Sequence, residues 1–115
     1  MINTYKWHKI ADTLSEINFS NTNLASLEVE GKVICIAKHH ETLFGCASKC
    51  PHASGNMSQG YIDALGNIVC PLHRYKFSLI NGRNTSGEGY FLKNYPIEVR
   101  ENGIFIGIET NSIFS

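Results

Sequence analysis

The sequence predicts an all-β domain built as an antiparallel sandwich or barrel. Short runs of β-branched and other apolar residues recur along the 115-residue chain, and turn-forming residues separate them at regular intervals. Only the segment from Ile10 to Phe19 could be helical, and its apolar residues follow the helical period poorly. Many short strands with evenly spaced turns are typical of antiparallel sandwiches and barrels. At 12.8 kDa the chain has the size of one domain, so we expect residues 1–115 to form a single unit.

The first half of the chain contains four strand candidates. Tyr5–Ile10 alternates weakly between apolar and polar residues. The other three are rich in β-branched and apolar residues, and they are Leu24–Val29, Lys32–Lys38 and Glu41–Ala47. Glu30-Gly31 reads as the turn between the second and third of them. We place the next tight turn at His39-His40, which would join the third strand to the fourth.

The second half contains four more strand candidates, namely Asn67–Cys70, Lys76–Ile80, Tyr95–Arg100 and Gly103–Ile108. The sequence Glu101-Asn102-Gly103 lies between the last two, and Asn-Gly between alternating runs is a strong hairpin signal. The segments 18–23 and 82–89 are polar or rich in glycine, so we expect loops there.

Charge and hydropathy exclude several classes of protein. Ten basic residues balance ten acidic ones, and a neutral chain lacks the basic field that nucleic acids and anionic membranes require. The longest strongly apolar run, Val33 to Ala37, is far shorter than the roughly 20 residues that span a bilayer. No secretory signal is visible in Met1 to Lys9, so we expect a cytoplasmic protein.

Two of the four cysteines are expected to be structural. Cys35 lies in the apolar run, and Cys46 lies in the strand that follows it. If those strands pair across His39-His40, both thiols fall on one face of the sheet, offset diagonally. We expect buried, reduced thiols that behave as small apolar side chains, although a disulfide is conceivable.

The other two cysteines belong to a pair of loops with a shared pattern. The first loop reads Cys50-Pro51-His52 and the second reads Cys70-Pro71-Leu72-His73, with 17 residues between His52 and Cys70. Two such loops, facing each other, would offer two thiolates and two imidazoles to a metal centre. Zinc fingers usually pair Cys with Cys and His with His, so a structural zinc site is the weaker interpretation.

This pattern resembles that of the Rieske iron–sulfur family. The resemblance runs from about Glu41 to Gly82 and includes CPHASGNMSQG and CPLHRYKFSLING. It implies a Rieske-type β-sandwich or barrel with a small cluster-binding subdomain of two loops, at about residues 46–82. It also implies one [2Fe-2S] cluster per chain, in which Cys50 and Cys70 bind one iron and His52 and His73 bind the other.

The sequence departs from the family at positions that bear on reduction potential. High-potential members carry hydroxyl donors two and four residues after the last ligand, where this chain has Tyr75 and Phe77. They also carry an extra cysteine in each loop, which is missing here. We therefore predict a potential near the low end of the family span, roughly −150 to +300 mV.

Other departures concern the shape and charge of the loops. Arg74 stands where a glycine usually follows the second histidine, and Ser54 precedes Gly55 where the family glycine comes one place earlier. Arg74 would favour the reduced cluster and, with Lys49 and Lys76, would make the tip locally basic. The region 87–90 lacks the proline that many members have in a third loop, so closure over the cluster there is an open question.

The resemblance implies a soluble, monomeric Rieske-type ferredoxin. Such a protein takes one electron from a reductase and passes it to a terminal component such as a ring-hydroxylating oxygenase, and it has no substrate chemistry of its own. Rieske oxygenases add a mononuclear iron site in a large second domain, for which 115 residues leave no room. The alternatives are a Rieske-like small subunit of a nitrite reductase complex and a structural zinc-binding domain.

Overall fold

The computed structural model describes residues 4–51, 55–85 and 89–110. Within these ranges the chain forms ten strands and two single-turn 3-10 helices, Leu14–Glu16 and Met57–Gln59. The strands are β1 (Thr4–Ala11), β2 (Leu24–Val29), β3 (Lys32–His39), β4 (Thr42–Ala47), β5 (Tyr61–Ile62), β6 (Asn67–Val69), β7 (Lys76–Ser78), β8 (Asn94–Tyr95), β9 (Ile97–Arg100) and β10 (Gly103–Thr110). No helix in these ranges has the length and apolar character needed to cross a membrane.

The strands pair into three antiparallel sheets. A three-stranded sheet has the order β1-β10-β9, a four-stranded sheet has the order β2-β3-β4-β8, and a small sheet has the order β5-β6-β7. Every strand pair is antiparallel, which confirms the predicted all-β class. Of the segment 10–19, only the turn Leu14–Glu16 is helical.

The four-stranded sheet is the middle layer, because β3 is buried on both faces. Successive side chains of a strand point to opposite faces. Ile34 and Ile36 belong to one cluster of buried residues, and Cys35 and Ala37 belong to another. The first, here called the scaffold core, joins the two larger sheets and contains Ala11, Ile17, Ala25, Val29, Ile34, Ile36, Ile104 and Ile106. The second, here called the site core, joins the middle sheet to the small one and contains Leu24, Cys35, Ala37, Cys46, Cys50, Met57, Ile68, Cys70, Phe77, Leu79 and Leu92.

The turn between β3 and β4 corrects one prediction. His39 still pairs with Thr42, so the turn consists of His40 and Glu41, with φ of 49° and 67°, and not of His39-His40. The register moves accordingly, and Cys35 lies directly opposite Cys46 instead of diagonally. The turn at Glu30-Gly31 is confirmed, since both residues have the positive φ that a two-residue hairpin turn requires.

The predicted strand Tyr95–Arg100 is two strands in the structure. Pro96 separates β8, which completes the middle sheet, from β9, which joins the outer one. Proline has no N–H to donate to a strand ladder, but its carbonyl accepts from Gly107 N at 2.9 Å. The two-residue strand β5 was not predicted, because so short a run has no readable alternation.

Candidate metal centre

The first loop leaves the end of β4 and closes on itself. Cys50 N donates to Gly55 O at 2.9 Å, and Met57 N donates to Ser48 O at 2.7 Å. Cys50 is 2% exposed, so its thiol lies inside the site core. The predicted ligand His52 lies outside the described residues. The loop thus holds one of its two predicted ligands in the interior.

The second loop closes in the same way between β6 and β7. Cys70 N donates to Tyr75 O at 2.8 Å, and Cys70 is completely buried. His73 and Arg74 are exposed, and both adopt left-handed backbone conformations, with φ of 63° and 57°. Arg74 therefore occupies the kind of backbone position for which glycine is suited, at a cost of about 1–2 kcal/mol.

The two loops bring the thiols of Cys50 and Cys70 into one buried cluster, close enough to interact. Burial raises the pKa of the Cys70 thiol, the Leu72 N–H partly offsets this, and the neighbouring Cys50 thiol raises the pKa further through a hydrogen bond and through charge. A pair of neighbouring buried thiols is a site that favours a metal ion, because the cation compensates two thiolate charges at once.

Two glycines make this close approach possible. A Cβ atom at Gly55 would lie 2.8 Å from Cys70 Sγ and 3.3 Å from Leu72 Cγ. A Cβ atom at Gly60 would lie 1.9 Å from the carbonyl oxygen of Val69. The first loop thus packs its bare backbone against the second cysteine and the strand before it. The fit of the two loops therefore depends on the absence of side chains at Gly55 and Gly60.

The small sheet that carries Cys70 is anchored by Asp63, which the sequence reading missed. Its carboxylate accepts from Leu65 N at 2.9 Å, Asn67 N at 3.0 Å and Asn67 Nδ2 at 3.1 Å, and it lies 3.9 Å from Lys76 Nζ. Burial alone would raise the pKa of Asp63, but these N–H donors and Lys76 outweigh burial and lower it. The sequence signal was present, because Asp followed three residues later by Gly66 is typical of a turn.

A row of aromatic rings leads from the second loop to Tyr90, in the region 87–90 where the family has a third loop. The ring centroids of His73 and Tyr75 are 6.3 Å apart, and those of Tyr75 and Tyr90 are 6.4 Å apart. Tyr75 packs against the site core, and Phe77 is completely buried within it. Residues 86–88 lie outside the described ranges, so the question of closure over the cluster at residues 87–90 is not tested.

The other two cysteines form a second buried pair. Cys35 and Cys46 are 0% and 1% exposed, and all four cysteines are free thiols. The Cys35 thiol raises the pKa of Cys46 well above its ordinary value through a hydrogen bond, and burial adds to this. The expectation of buried, reduced thiols is confirmed.

The structure therefore brings together Cys50 and Cys70 and leaves His73 exposed, three residues after Cys70 in the second loop. Among residues 4–51, 55–85 and 89–110, no three His, Cys, Asp or Glu side chains are grouped as they would be around one metal ion. The four-ligand set predicted from the sequence includes His52 and stays a prediction.

Comparison with known proteins agrees on one family. The model of the Rieske [2Fe-2S] domain family matches residues 6–96. The ferredoxin component of the naphthalene 1,2-dioxygenase system of Pseudomonas putida is 27% identical over 106 residues, which cover 91% of this chain and 98% of that protein.

Two solved structures share the fold at low identity. The ferredoxin of carbazole 1,9a-dioxygenase from Nocardioides aromaticivorans has a TM-score of 0.73 at 20% identity, over 90% of this chain and 96% of that one. A putative NADH-dependent nitrite reductase small subunit from Mycobacterium tuberculosis has a TM-score of 0.77 at 15% identity, with the same coverage. Because the family match spans most of the chain, including both cysteine loops, this protein belongs to the Rieske [2Fe-2S] domain family.

Proposed function

We propose that this protein is a one-electron carrier that takes electrons from a reductase and delivers them to a terminal oxygenase. In this proposal Cys50 and Cys70 hold one iron of a [2Fe-2S] cluster, and His52 and His73 hold the other. The observation that carries the proposal is that two loops place their cysteines in one buried cluster, in a chain of the Rieske family.

The described residues fit such a cluster. The thiols of Cys50 and Cys70 lie in one buried cluster, and the absence of a side chain at Gly55 leaves room for Cys70 Sγ. A cluster bound there supplies a site that gains and loses one electron. Burial of the cysteines keeps water from that side, whereas the exposed ring of His73 places the other side within reach of a partner.

The role of carrier, and not of enzyme, is supported by the relatives. The Pseudomonas putida protein is named a ferredoxin component, and the match covers 98% of its length. We place it in the cytoplasm, where the reduced thiols of Cys35 and Cys46 and a thiolate-bound cluster are stable.

The test is cluster content after anaerobic purification. Wild-type protein should contain two irons and two acid-labile sulfides per chain, and should give an electron paramagnetic resonance signal when reduced. Cys50→Ser, Cys70→Ser, His52→Ala and His73→Ala should each lose most of the iron. Cys35→Ala is the matched control, because it removes a thiol from the same core and should keep the iron.

A colourless protein with stoichiometric zinc would overturn the proposal in favour of a structural zinc site. The proposal would also fail if Cys70→Ser kept its cluster, or if Cys35→Ala lost as much iron as the ligand variants.

A second role is favoured by one observation, the TM-score of 0.77 with a putative nitrite reductase small subunit. A fixed subunit stays bound to its enzyme, whereas a carrier forms a small and short-lived interface. Gel filtration with a nitrite reductase large subunit separates the two roles. A stable complex would support the subunit role, and separate elution would support the carrier.

A further inference from the structure

Charge is distributed unevenly in this neutral chain. Residues 46–85, which include both cysteine loops, contain Lys49, Arg74, Lys76 and Arg83 but only one acidic residue, Asp63. Four basic residues against one acidic residue leave a net charge of +3, so the rest of the neutral chain carries −3. The five charged residues all lie within the described ranges, whereas Glu88, the next acidic residue, lies outside them.

The four basic side chains are exposed around the loops and are called here the basic rim. Lys49 directly precedes Cys50, and Arg74 directly follows His73. Lys76 begins β7, where the second loop ends. Arg83 lies five residues after the end of β7 and folds back against it, since its carbonyl accepts from Ser78 N at 2.9 Å. Three members thus lie within a few residues of a predicted ligand.

Little of this charge is neutralised nearby. Asp63 lies 3.9 Å from Lys76, but its carboxylate is already bound by the N–H groups of the β5–β6 turn. Within residues 4–51, 55–85 and 89–110, the other three members of the basic rim make no ion pair. A positive field therefore extends from the end of the molecule where His73 is exposed.

Exposed apolar side chains lie beside these charges. Leu72 is 46% exposed, Tyr90 is 40% exposed and Phe91 is 63% exposed. Phe91 pairs through its backbone with Arg83, and Leu72 lies between the two ligands of the second loop. Apolar residues bordered by charged ones are typical of surfaces that bind another protein.

We infer that the basic rim is the docking surface for the electron donor, a reductase that presents carboxylates around an apolar centre. The inference deepens the proposed function and depends on it. One electron passes from the reduced reductase to the oxidised carrier, with no bond formed or broken. The choice of donor over acceptor rests on the charge of the two redox states.

Reduction adds one negative charge beside His73 and so weakens the attraction of the basic rim for carboxylates. An acidic reductase therefore binds the oxidised carrier more tightly than the reduced one, and releases it once the electron has moved. An acidic acceptor would instead retain the oxidised carrier after the transfer. The positive charge of the basic rim therefore favours electron transfer from an acidic donor to the oxidised carrier.

The first experiment measures the field with small reductants in stopped flow. The rate constant for reduction of the oxidised protein is measured at ionic strengths from 10 to 200 mM. One reductant is the sulfur dioxide radical anion that dithionite forms, and the other is the methyl viologen radical cation. The rate constant should fall about threefold or more for the anion and rise for the cation, because salt screens both interactions.

The matched variants carry equal changes of charge. Lys49→Glu combined with Arg74→Glu should reverse both salt dependences. The control combines Lys6→Glu with Lys32→Glu, which changes the net charge by the same amount at two exposed lysines outside the basic rim. It should leave both salt dependences as they are in the wild type. Wild-type rates that do not depend on salt, or equal effects of the two double variants, would overturn the inference.

The second experiment measures binding of poly-L-glutamate to oxidised and to reduced protein under anaerobic conditions. The oxidised form should bind several times more tightly, and the Lys49→Glu, Arg74→Glu variant should lose the binding. Equal or tighter binding by the reduced form would overturn the assignment to the donor. Tighter binding to duplex DNA or to phosphatidylglycerol vesicles than to poly-L-glutamate would reassign the surface to those partners.

The two proposals fail in different ways. Wild-type protein without iron and sulfide contradicts the proposed function. Protein with an intact cluster but without the expected response to salt contradicts the docking inference alone.

Discussion

The two cysteine loops use the same hydrogen bond but differ in how they make room. In each loop the cysteine N–H donates to the carbonyl five residues later, from Cys50 to Gly55 and from Cys70 to Tyr75. The first loop ends on a glycine that packs against Cys70 Sγ. The second contains no glycine, and it turns through two side-chain-bearing residues with positive φ, His73 and Arg74. The first loop therefore requires a residue without a side chain at Gly55. The second loop instead contains two strained, left-handed residues, His73 and Arg74.

This difference separates two kinds of sensitivity to mutation. Added bulk in the first loop must displace the partner cysteine, because even a Cβ atom at Gly55 would lie 2.8 Å from Cys70 Sγ. In the second loop the exposed side chains of His73 and Arg74 meet solvent, so the cost there belongs to the backbone. Substitutions in the two loops should thus affect metal content and stability to different degrees.

The largest effect is expected for Gly55→Val. The new side chain would push Cys70 Sγ and Leu72 aside, so the two thiols would no longer meet. We expect iron per chain to fall by more than half and stability to fall by about 1–3 kcal/mol. Iron analysis and thermal unfolding measure the two quantities.

Gly31→Ala is the control for a purely conformational cost. Gly31 has φ of 78° and no atom within 4 Å of its added Cβ, so this variant strains the backbone without steric overlap. It should lower the melting temperature and keep the iron. A full cluster in Gly55→Val would contradict the steric interpretation of the first loop.

A smaller and opposite effect is expected for Arg74→Gly. Glycine adopts positive φ without penalty, so relief of strain should raise stability by about 1 kcal/mol, or roughly 4–8 °C in melting temperature. Loss of the positive charge should lower the midpoint potential at the same time. Arg74→Lys keeps both the charge and the strain, and a stability gain there would show that strain is not the cause.

The smallest effect is expected at Asp63, and it should appear only in acid. Hydrogen bonds lower the pKa of this carboxyl in the folded state, so the unfolded chain takes up the proton first as pH falls. The contribution of Asp63 to stability is therefore present above its unfolded pKa of about 3.9 and is lost as pH falls through the folded value.

Asp63→Asn removes this titration. The variant should be less stable than wild type at pH 7, and the difference should shrink between about pH 5 and pH 3. Denaturant unfolding at several pH values tests this expectation. A difference that stays constant across that range would mean that the carboxylate charge has no part in anchoring the β5–β6 turn.

Local sequence was sufficient for the class of fold and for the thiol pair. Strands such as Leu24–Val29 were predicted with their exact bounds, because apolar runs and the Glu30-Gly31 turn mark them. Cys50 and Cys70 stood out because each is followed by proline and then histidine within three residues. Both signals lie within a few positions along the chain, which is the range over which a single sequence is informative.

Features that depend on tertiary contacts were not predictable in this way. The turn at His40-Glu41 contains no glycine or asparagine to mark its position, so only the register with β4 fixes it. The left-handed conformation of Arg74 follows from closure of the second loop and contradicts the preference of arginine itself. The contact between Gly55 and Cys70 joins residues 15 positions apart and has no local signature.

Strand β3 belongs to both the site core and the scaffold core, so it couples the two halves of the molecule. Its odd-numbered residues, Cys35 and Ala37, support the half of the molecule that carries the cysteine loops, and its even-numbered residues, Ile34 and Ile36, support the other half. Unfolding of either half would therefore displace a strand against which the other half is packed. We therefore expect both halves to unfold together, so that calorimetry records one transition and not two.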